Sequence, residues 1–101
     1  MIKKIKKWHK DRLITVNGNS LTQTVKLGEE FGELCEGIVK RKRKKIRDSI
    51  GDMVVVLVAI AELEDLDFDE CVEFAYNEIK DRKGKLLPNG NFLKEEDFER
   101  N

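Results

Sequence analysis

Two groups of acidic residues carry most of the chemistry that this sequence can support. The first is Glu29-Glu30-Phe31-Gly32-Glu33, in which Glu30 and Glu33 are three residues apart and therefore share one face of a helix. The second is Asp48 and Asp52, four residues apart and followed by the apolar stretch 53–61. An acid at the start of a buried helix must be neutralised, hydrogen-bonded or bound to a cation, and Mg²⁺ takes oxygen ligands. The two groups therefore predict a divalent metal site.

Most of these acids also have a simpler structural interpretation. Glu29, Glu30 and Glu33 would be an exposed helix face if Lys26 pairs with Glu30, and Asp48 would be a first-turn acid that offsets the helix dipole. Asp52 is harder to explain in this way, because apolar residues surround it. If the two helices pack side by side and antiparallel, four carboxylates meet at their facing surfaces, as in metal sites of helical bundles: Glu30, Glu33, Asp48 and Asp52.

The elements that must position these acids are predicted to be helical, because apolar residues recur with helical spacing and only one proline occurs. We expect a compact all-α fold, like a four-helix bundle, in a single domain over residues 1–101. The predicted helices are 2–13, Ser20 to about Val39 with the capping box Ser20-x-x-Gln23, 46–64, and one from the cap Asp67-x-x-Glu70 to near Gly84. A turn is expected at 15–19, a connection or frayed helix end at 40–45, and a polar C-terminal tail at 86–101 with a turn at 88–91.

Packing expectations follow from the same periodicity. Four residues form the predicted apolar face of the second helix: Leu27, Phe31, Leu34 and Ile38. Gly28 and Gly32 lower helix propensity, which suggests that another backbone approaches closely there. The third helix is apolar on all sides from Met53 onward and should be the most buried. A chain this short needs additional cover for such a helix, so we expect at least a dimer.

Composition limits the remaining classes of function. The chain has 101 residues, and its 20 basic and 20 acidic side chains cancel, which does not favour a general polyanion binder. Two cysteines without a CxxC motif, together with the lack of an apolar leader, indicate a reduced cytoplasmic protein. The apolar stretch is too short to span a bilayer, so no membrane partner is expected. Zinc is not expected, because no histidine or cysteine ligand set is present.

The ordered set of motifs resembles the MazG-like family of all-α nucleoside triphosphate pyrophosphohydrolases, and its small phage-type members in particular. The resemblance covers most of the chain and rests on these segments: Gln23-x-x-Lys26, Gly28-Glu29-Glu30-Phe31-Gly32-Glu33-Leu34, Asp48-Ser49-Ile50-Gly51-Asp52-Met53, Asn77-Glu78-Ile79-Lys80-Asp81-Arg82-Lys83-Gly84 and Gly90-Asn91-Phe92-Leu93-Lys94-Glu95-Glu96-Asp97.

The resemblance implies a Mg²⁺-dependent enzyme, with Mn²⁺ as an alternative ion, that cleaves a (deoxy)nucleoside triphosphate between the α- and β-phosphates. The products would be the monophosphate and pyrophosphate. The resemblance also implies a homodimer or a homotetramer. Metal ligands by matching position are Glu30, Glu33 and Asp52. The family's second motif usually has a glutamate where this chain has Ser49, which leaves two alternatives: Asp48 takes the place of that glutamate, or Ser49 binds the ion through water. The expected base is a carboxylate that the metal does not use: Glu29, Glu30 or Glu33.

Six residues with cationic or amide side chains in these motifs are expected to bind the substrate: Gln23, Lys26, Asn77, Lys80, Arg82 and Lys83. Trp8 would either stack on a nucleobase or belong to the core. Two other functions compete with the enzyme. The first is a catalytically inactive helical bundle that binds nucleotide or metal, which Ser49 favours. The second is a nucleic-acid-binding module that uses the basic run 40–45, although no aromatic residue interleaves that run.

Overall fold

The structure is a computed structural model that describes the backbone of residues 1–100 and the side chains of residues 1–98. Its elements in chain order are α1 (Ile2–Asp11), α2 (Ile14–Asn17), α3 (Ser20–Val39), α4 (Arg43–Leu63), α5 (Phe68–Ile79), β1 (Gly84–Leu86), β2 (Phe92–Lys94) and a 3₁₀ helix (Glu95–Arg100). The expected all-α class is confirmed, because the only sheet is one short hairpin among the described residues. The chain divides into two compact units, residues 1–68 and residues 69 onward.

The core of the first unit is built around α4, which packs against α1, α2 and α3. Val58 and Ala59 are fully buried, and Val56 and Ala61 are nearly so. This confirms that the apolar stretch 53–61 forms the most buried helix. The buried His9 of α1 approaches the same helix, with its Nε2 2.8 Å from the carbonyl oxygen of Val55. The core is therefore formed mainly by small aliphatic side chains of one helix, covered by three others.

The helix α3 lies beside α4 because only a short connection, residues 40–42, joins them. At the connection, a Cβ on Gly37 would lie 3.1 Å from Ile46 Cγ1 and 3.2 Å from its backbone nitrogen. Near the opposite ends of the two helices, Ser20 Oγ donates a hydrogen bond of 2.6 Å to Glu64. These contacts hold α3 and α4 side by side along their length.

The second unit contains a β-hairpin after α5. Its strands pair antiparallel, with Lys85 opposite Leu93, and the expected turn connects them. Gly90 has a φ of 91°, and its nitrogen donates a hydrogen bond to the carbonyl oxygen of Leu87. Lys85 Nζ also lies 5.0 Å from the centre of the Phe98 ring. The turn in the tail was predicted correctly, but the two strands beside it were not.

Several boundaries differ from the predicted ones. The first helix ends at Asp11 rather than at residue 13. The first part of the expected turn 15–19 belongs to the short helix α2. Asn19 caps α3 by accepting a hydrogen bond of 2.8 Å from the Thr22 nitrogen, so the proposed Ser20 capping box is wrong. The helix α4 begins at Arg43 rather than Ile46, and α5 ends at Ile79 rather than near Gly84. Apolar periodicity alone does not fix the residue at which a helix begins or ends.

None of the helices in the described part of the chain combines the length and apolarity needed to cross a membrane. Both cysteines are free and exposed. The predicted location in the cytoplasm and the predicted oligomeric state stay predictions.

Candidate functional site

The face of α3 that meets α4 differs from the predicted apolar face. Residues alternately three and four apart are buried or half-buried: Gln23, Leu27, Glu30, Leu34 and Gly37. By contrast, Phe31 is 55% exposed and Ile38 is 49% exposed. The prediction that Phe31 and Ile38 belong to the buried face is therefore wrong. Glu30 takes an inward position instead, and its side chain is only 14% exposed.

The two helices form the walls of a cavity of about 600 Å³, which is large enough for a small-molecule ligand. Its lining contains ten side chains from α3, α4 and the connection between them: Lys26, Glu29, Glu30, Glu33, Lys42, Lys44, Lys45, Asp48, Ser49 and Asp52. All five carboxylates predicted as metal ligands or bases line this one cavity. We refer to it as the acidic pocket.

Two acids from opposite walls of the acidic pocket, Glu30 and Asp52, interact with each other. Partial burial raises the pKa of Asp52, and the nearby charges of Glu30 and Asp48 raise it further. When protonated, Asp52 donates a hydrogen bond to Glu30. Glu30 from α3 and Asp52 from α4 therefore lie within hydrogen-bonding reach, where like charges repel. A cation between them would relieve this repulsion.

Lysines partly neutralise the three glutamates of the pocket, Glu29, Glu30 and Glu33. Lys26 Nζ lies 3.4 Å from Glu30 and 3.7 Å from Glu29. The hydrogen bond and charge of Glu30, followed by the charge of Glu29, raise the pKa of Lys26. Lys45 Nζ lies 2.7 Å from both Glu33 and Glu36. The prediction that Lys26 pairs with Glu30 is confirmed, but this pairing does not place Glu30 on an exposed face.

The chemistry of these side chains fits a hard divalent cation, although they do not form a complete cage. Among the described residues, no group of three or more histidine, cysteine, aspartate or glutamate side chains is arranged to hold a metal ion. Mg²⁺ is usually held by one or two carboxylates, with waters and substrate phosphates as the remaining ligands. The pair of Glu30 and Asp52 fits this pattern, and Glu33 and Asp48 line the same cavity.

Asp48 and Ser49 stand where the second motif departs from the family pattern. Both line the acidic pocket, but Ser49 is buried and Asp48 is exposed. Asp48 Oδ1 lies 3.7 Å from Arg47 Nε. Either residue is therefore placed to reach a ligand in the pocket, and Asp48 alone supplies a charge.

A second cavity, of about 420 Å³, adjoins the acidic pocket through a shared residue. Its lining is Lys4, Ile5, Trp8, Asp52 and Val55, so Asp52 belongs to both cavities. Trp8 is 44% exposed, and the Arg12 guanidinium lies 4.2 Å from the centre of its ring. Trp8 is thus not a fully buried core residue, and a planar apolar group could contact its ring. We refer to this cavity as the tryptophan pocket.

The predicted substrate residues are not all brought to the acidic pocket. Lys26 lines it, whereas Gln23 is half-buried on the inward face of α3 and does not. The other four lie in the second unit, where Asn77 and Lys80 are exposed and Arg82 and Lys83 line a separate cavity of about 430 Å³. Their proposed contact with substrate stays a prediction.

Three lining residues were not among the predicted site residues: Lys42, Lys44 and Lys45. The sequence does contain a signal for one of them. Lys45, Asp48 and Asp52 are spaced by three and four residues, which places them on one face once the helix begins before Lys45. The later start predicted for this helix hid that relation.

Comparison with known proteins identifies the same region of the chain. Residues 19–87 match the MazG nucleotide pyrophosphohydrolase domain, and this segment contains all ten residues that line the acidic pocket. The chain is also 45% identical, over 67 residues, to an uncharacterized 18.2 kDa protein in the rep-hol intergenic region of Haemophilus phage HP1 (strain HP1c1). That alignment covers 66% of this chain and 41% of the phage protein, so the chain spans about two-fifths of the length of this relative. No solved structure matches the chain significantly.

Proposed function

The chain belongs to the MazG nucleotide pyrophosphohydrolase domain family, and from this membership we propose that it is a Mg²⁺-dependent nucleoside triphosphate pyrophosphohydrolase. Its reaction would convert a nucleoside or deoxynucleoside triphosphate and water into the monophosphate and pyrophosphate. One observation carries the proposal. Glu30 and Asp52 come from different helices and line one cavity, where partial burial and the nearby charges of Glu30 and Asp48 raise the pKa of Asp52.

The metal would be held by Glu30 and Asp52, with Glu33 and Asp48 as further carboxylates of the same cavity. Mn²⁺ would serve as an alternative ion, since it also takes carboxylate ligands. When bound, such an ion supplies positive charge beside the phosphates of the substrate. The lysine contacts seen at Glu30 and Glu33 would then be exchanged for contacts with the ion and the substrate.

The residues of the chain perform the remaining tasks. A water oxygen attacks the α-phosphorus, the bond from this phosphorus to the bridging oxygen of the β-phosphate breaks, and pyrophosphate leaves with the bond electrons. A carboxylate of the pocket takes the proton that the water loses. Glu29 suits this task, because it lines the pocket and its nearest cation is Lys26 at 3.7 Å. Trp8 would receive the base in the tryptophan pocket, where its exposed ring allows stacking.

The test is release of pyrophosphate from a panel of ribo- and deoxyribonucleoside triphosphates, with Mg²⁺, with Mn²⁺ and with a chelator. We expect Asp52→Asn and Glu30→Gln to lower kcat/KM by about a hundredfold or more, because each removes a carboxylate that would hold the ion beside the phosphates. Asp11→Asn is the matched control, since Asp11 is an exposed acid of α1 that pairs with Lys7. No release from any triphosphate by folded protein would refute the proposal.

Binding without hydrolysis is the second candidate function, and Ser49 favours it. Ser49 lines the pocket at the position of a family glutamate, so the chain has one carboxylate fewer there. Calorimetry with Mg²⁺ and a nucleoside triphosphate distinguishes the two candidates. Tight binding without pyrophosphate release would support the inactive bundle. A gain of activity in Ser49→Glu would show that the missing carboxylate limits catalysis.

A further inference from the structure

The acidic pocket also has a basic end, which the proposed metal site does not use. The run 40–45 contains six consecutive basic residues. The structure divides them into two groups of three. Lys42, Lys44 and Lys45 line the pocket, whereas residues 40, 41 and 43 do not. In sequence, this basic run is typical of a solvated loop. In the structure, three of its side chains face the acidic pocket.

Two of the three lysines have their charge available. Lys45 is held by Glu33 and Glu36, at 2.7 Å from each. Lys42 and Lys44 form no ion pair with any other side chain in the described range 1–98. Ammonium groups are point charges that bind phosphate oxygens by charge-assisted hydrogen bonds. Two unpaired ammonium groups beside a cluster of acids thus form a site for a polyanion that reaches beyond the acids.

The lysines also occupy a defined end of the site. Lys45 and Val55 are ten residues apart on α4, which is about 15 Å along the helix axis. Asp52 lies between them and belongs to both cavities. The order along α4 is therefore a basic end, a pair of acids and an apolar pocket with Trp8. A nucleoside triphosphate has the matching order of polyphosphate, reacting phosphorus and base.

We propose that Lys42, Lys44 and Lys45 bind the β- and γ-phosphates of the substrate, and therefore the pyrophosphate that leaves. The substrate then lies along α4, with its phosphate chain toward the connection between α3 and α4 and its base toward Trp8. This inference rests on the proposed function and adds the direction in which the substrate lies. It also assigns the basic run to a small phosphorylated ligand rather than to nucleic acid.

The experiment compares two triple variants, each of which removes three positive charges from the basic run 40–45. The first is Lys42→Gln/Lys44→Gln/Lys45→Gln. The control is Lys40→Gln/Arg41→Gln/Arg43→Gln, whose residues do not line the pocket. Calorimetry in Mg²⁺ measures the binding of inorganic pyrophosphate and of a nucleoside monophosphate to each. The monophosphate lacks the two phosphates that the lysines are proposed to contact.

We expect the first variant to bind pyrophosphate at least about tenfold more weakly than the wild type, because several hydrogen bonds to charged groups are lost. The control should bind it within about twofold, and both should bind the monophosphate like the wild type. Equal weakening in the two variants would show a general effect of charge and overturn the inference. Unchanged pyrophosphate binding in the first variant would overturn it as well.

Folding and function are separated by two further measurements. Lys42→Gln/Lys44→Gln keeps the contacts of Lys45 with Glu33 and Glu36, so this double variant reports on phosphate binding if the triple variant unfolds. If the wild type hydrolyses triphosphates and the lysine variants hydrolyse them equally well, this inference alone is refuted. A wild-type protein that binds pyrophosphate through the lysines but hydrolyses no triphosphate would refute the proposed function instead.

Discussion

Glu30 shows how a single residue can be identified from sequence while its environment is not. The spacing of Glu30 and Glu33, and of Asp48 and Asp52, correctly selected acids that line one cavity. The sequence left open whether Glu30 faces α4 or lies on an exposed face, because α3 has a second series of apolar or small residues on its outer side, with Leu21 and Val25 exposed. Two such series on one helix leave its buried face ambiguous. Packing against α4 decides it.

Asp52 should destabilise the metal-free protein. Its charge lies near Glu30 and Asp48, and these charges contribute to its raised pKa. Asp52→Asn removes the repulsion, so we expect the free energy of unfolding in a chelator to rise by about 0.5 kcal/mol. Thermal unfolding measures this change, and Mg²⁺ should raise the Tm of the wild type but not of the variant. Asp11→Asn serves as the control and should give no increase. A lower Tm for Asp52→Asn in the chelator would contradict the prediction.

Glu36 provides a prediction about pH. Hydrogen bonds from Lys40 and Lys45 lower its pKa from 4.5 to about 2. Because the folded pKa is the lower one, the favourable contribution is complete above about pH 4.5 and is lost as the pH falls toward 2. Lys40→Met should move the carboxyl titration back toward higher pH, as measured by NMR. Lys42→Met should leave it unchanged, and high salt should weaken the effect at this exposed group.

At the level of the elements, the sequence predicted the long helices well and the short ones poorly. Both bounds of α3 agree with the predicted ones, and the burial of α4 was predicted from its long apolar stretch. The helix α2 has only four residues, and each hairpin strand has three. Elements this short have too few residues for a period to be recognised. Their formation depends on contacts within their own unit.

Another backbone was predicted to approach α3 closely at Gly28 and Gly32. No described backbone of the same chain does so, and within the chain this prediction is wrong. Among the described atoms beyond their local backbone, none lies within 4 Å of a Cβ at either glycine. The close approach occurs instead at Gly37, against Ile46. The sequence alone does not distinguish these positions, because all three glycines lie in the same helix. Only the inward direction of Gly37 makes its missing side chain necessary.

Gly37→Ala should therefore destabilise the protein, because overpacking against the backbone nitrogen of Ile46 costs about 1–3 kcal/mol and higher helix propensity offsets only about 0.5–1 kcal/mol of it. Gly51→Ala is the matched control. It also lies inside a helix, and no described atom beyond its local backbone lies within 4 Å of its Cβ position. This variant should stabilise the protein by about 0.5–1 kcal/mol through higher helix propensity. Urea unfolding of both variants measures the difference, and equal effects would refute the argument.

The helix α3 exposes several large apolar side chains on one side. Leu21, Val25 and Val39 of α3 are 76%, 59% and 79% exposed. They continue with Gly28 and Gly32 along the side opposite the buried face. Contiguous apolar surface of this kind often marks a protein interface. The expected homodimer or homotetramer stays a prediction, and this series of residues is the surface on which we expect it to depend.

Val25→Glu should shift the molar mass measured by light scattering toward the monomer, because it places a charge within the exposed apolar series. Thr22→Glu is the control, since it adds the same charge to the same helix away from that series. A wild-type monomer at micromolar concentration would contradict the predicted oligomer. Equal shifts in the two variants would contradict the proposed surface.

Three backbone positions in the first unit have a consequence for protein engineering. Leu13, Arg41 and Asp65 have positive φ values of 61°, 56° and 56°, and each follows the end of a helix. A side chain in this conformation costs roughly 1–2 kcal/mol, which glycine avoids. Leu13 and Asp65 do not line the acidic pocket. Aspartate adopts this conformation more readily than leucine does, so glycine at position 13 would give a more stable parent protein for substitutions of the acids and lysines.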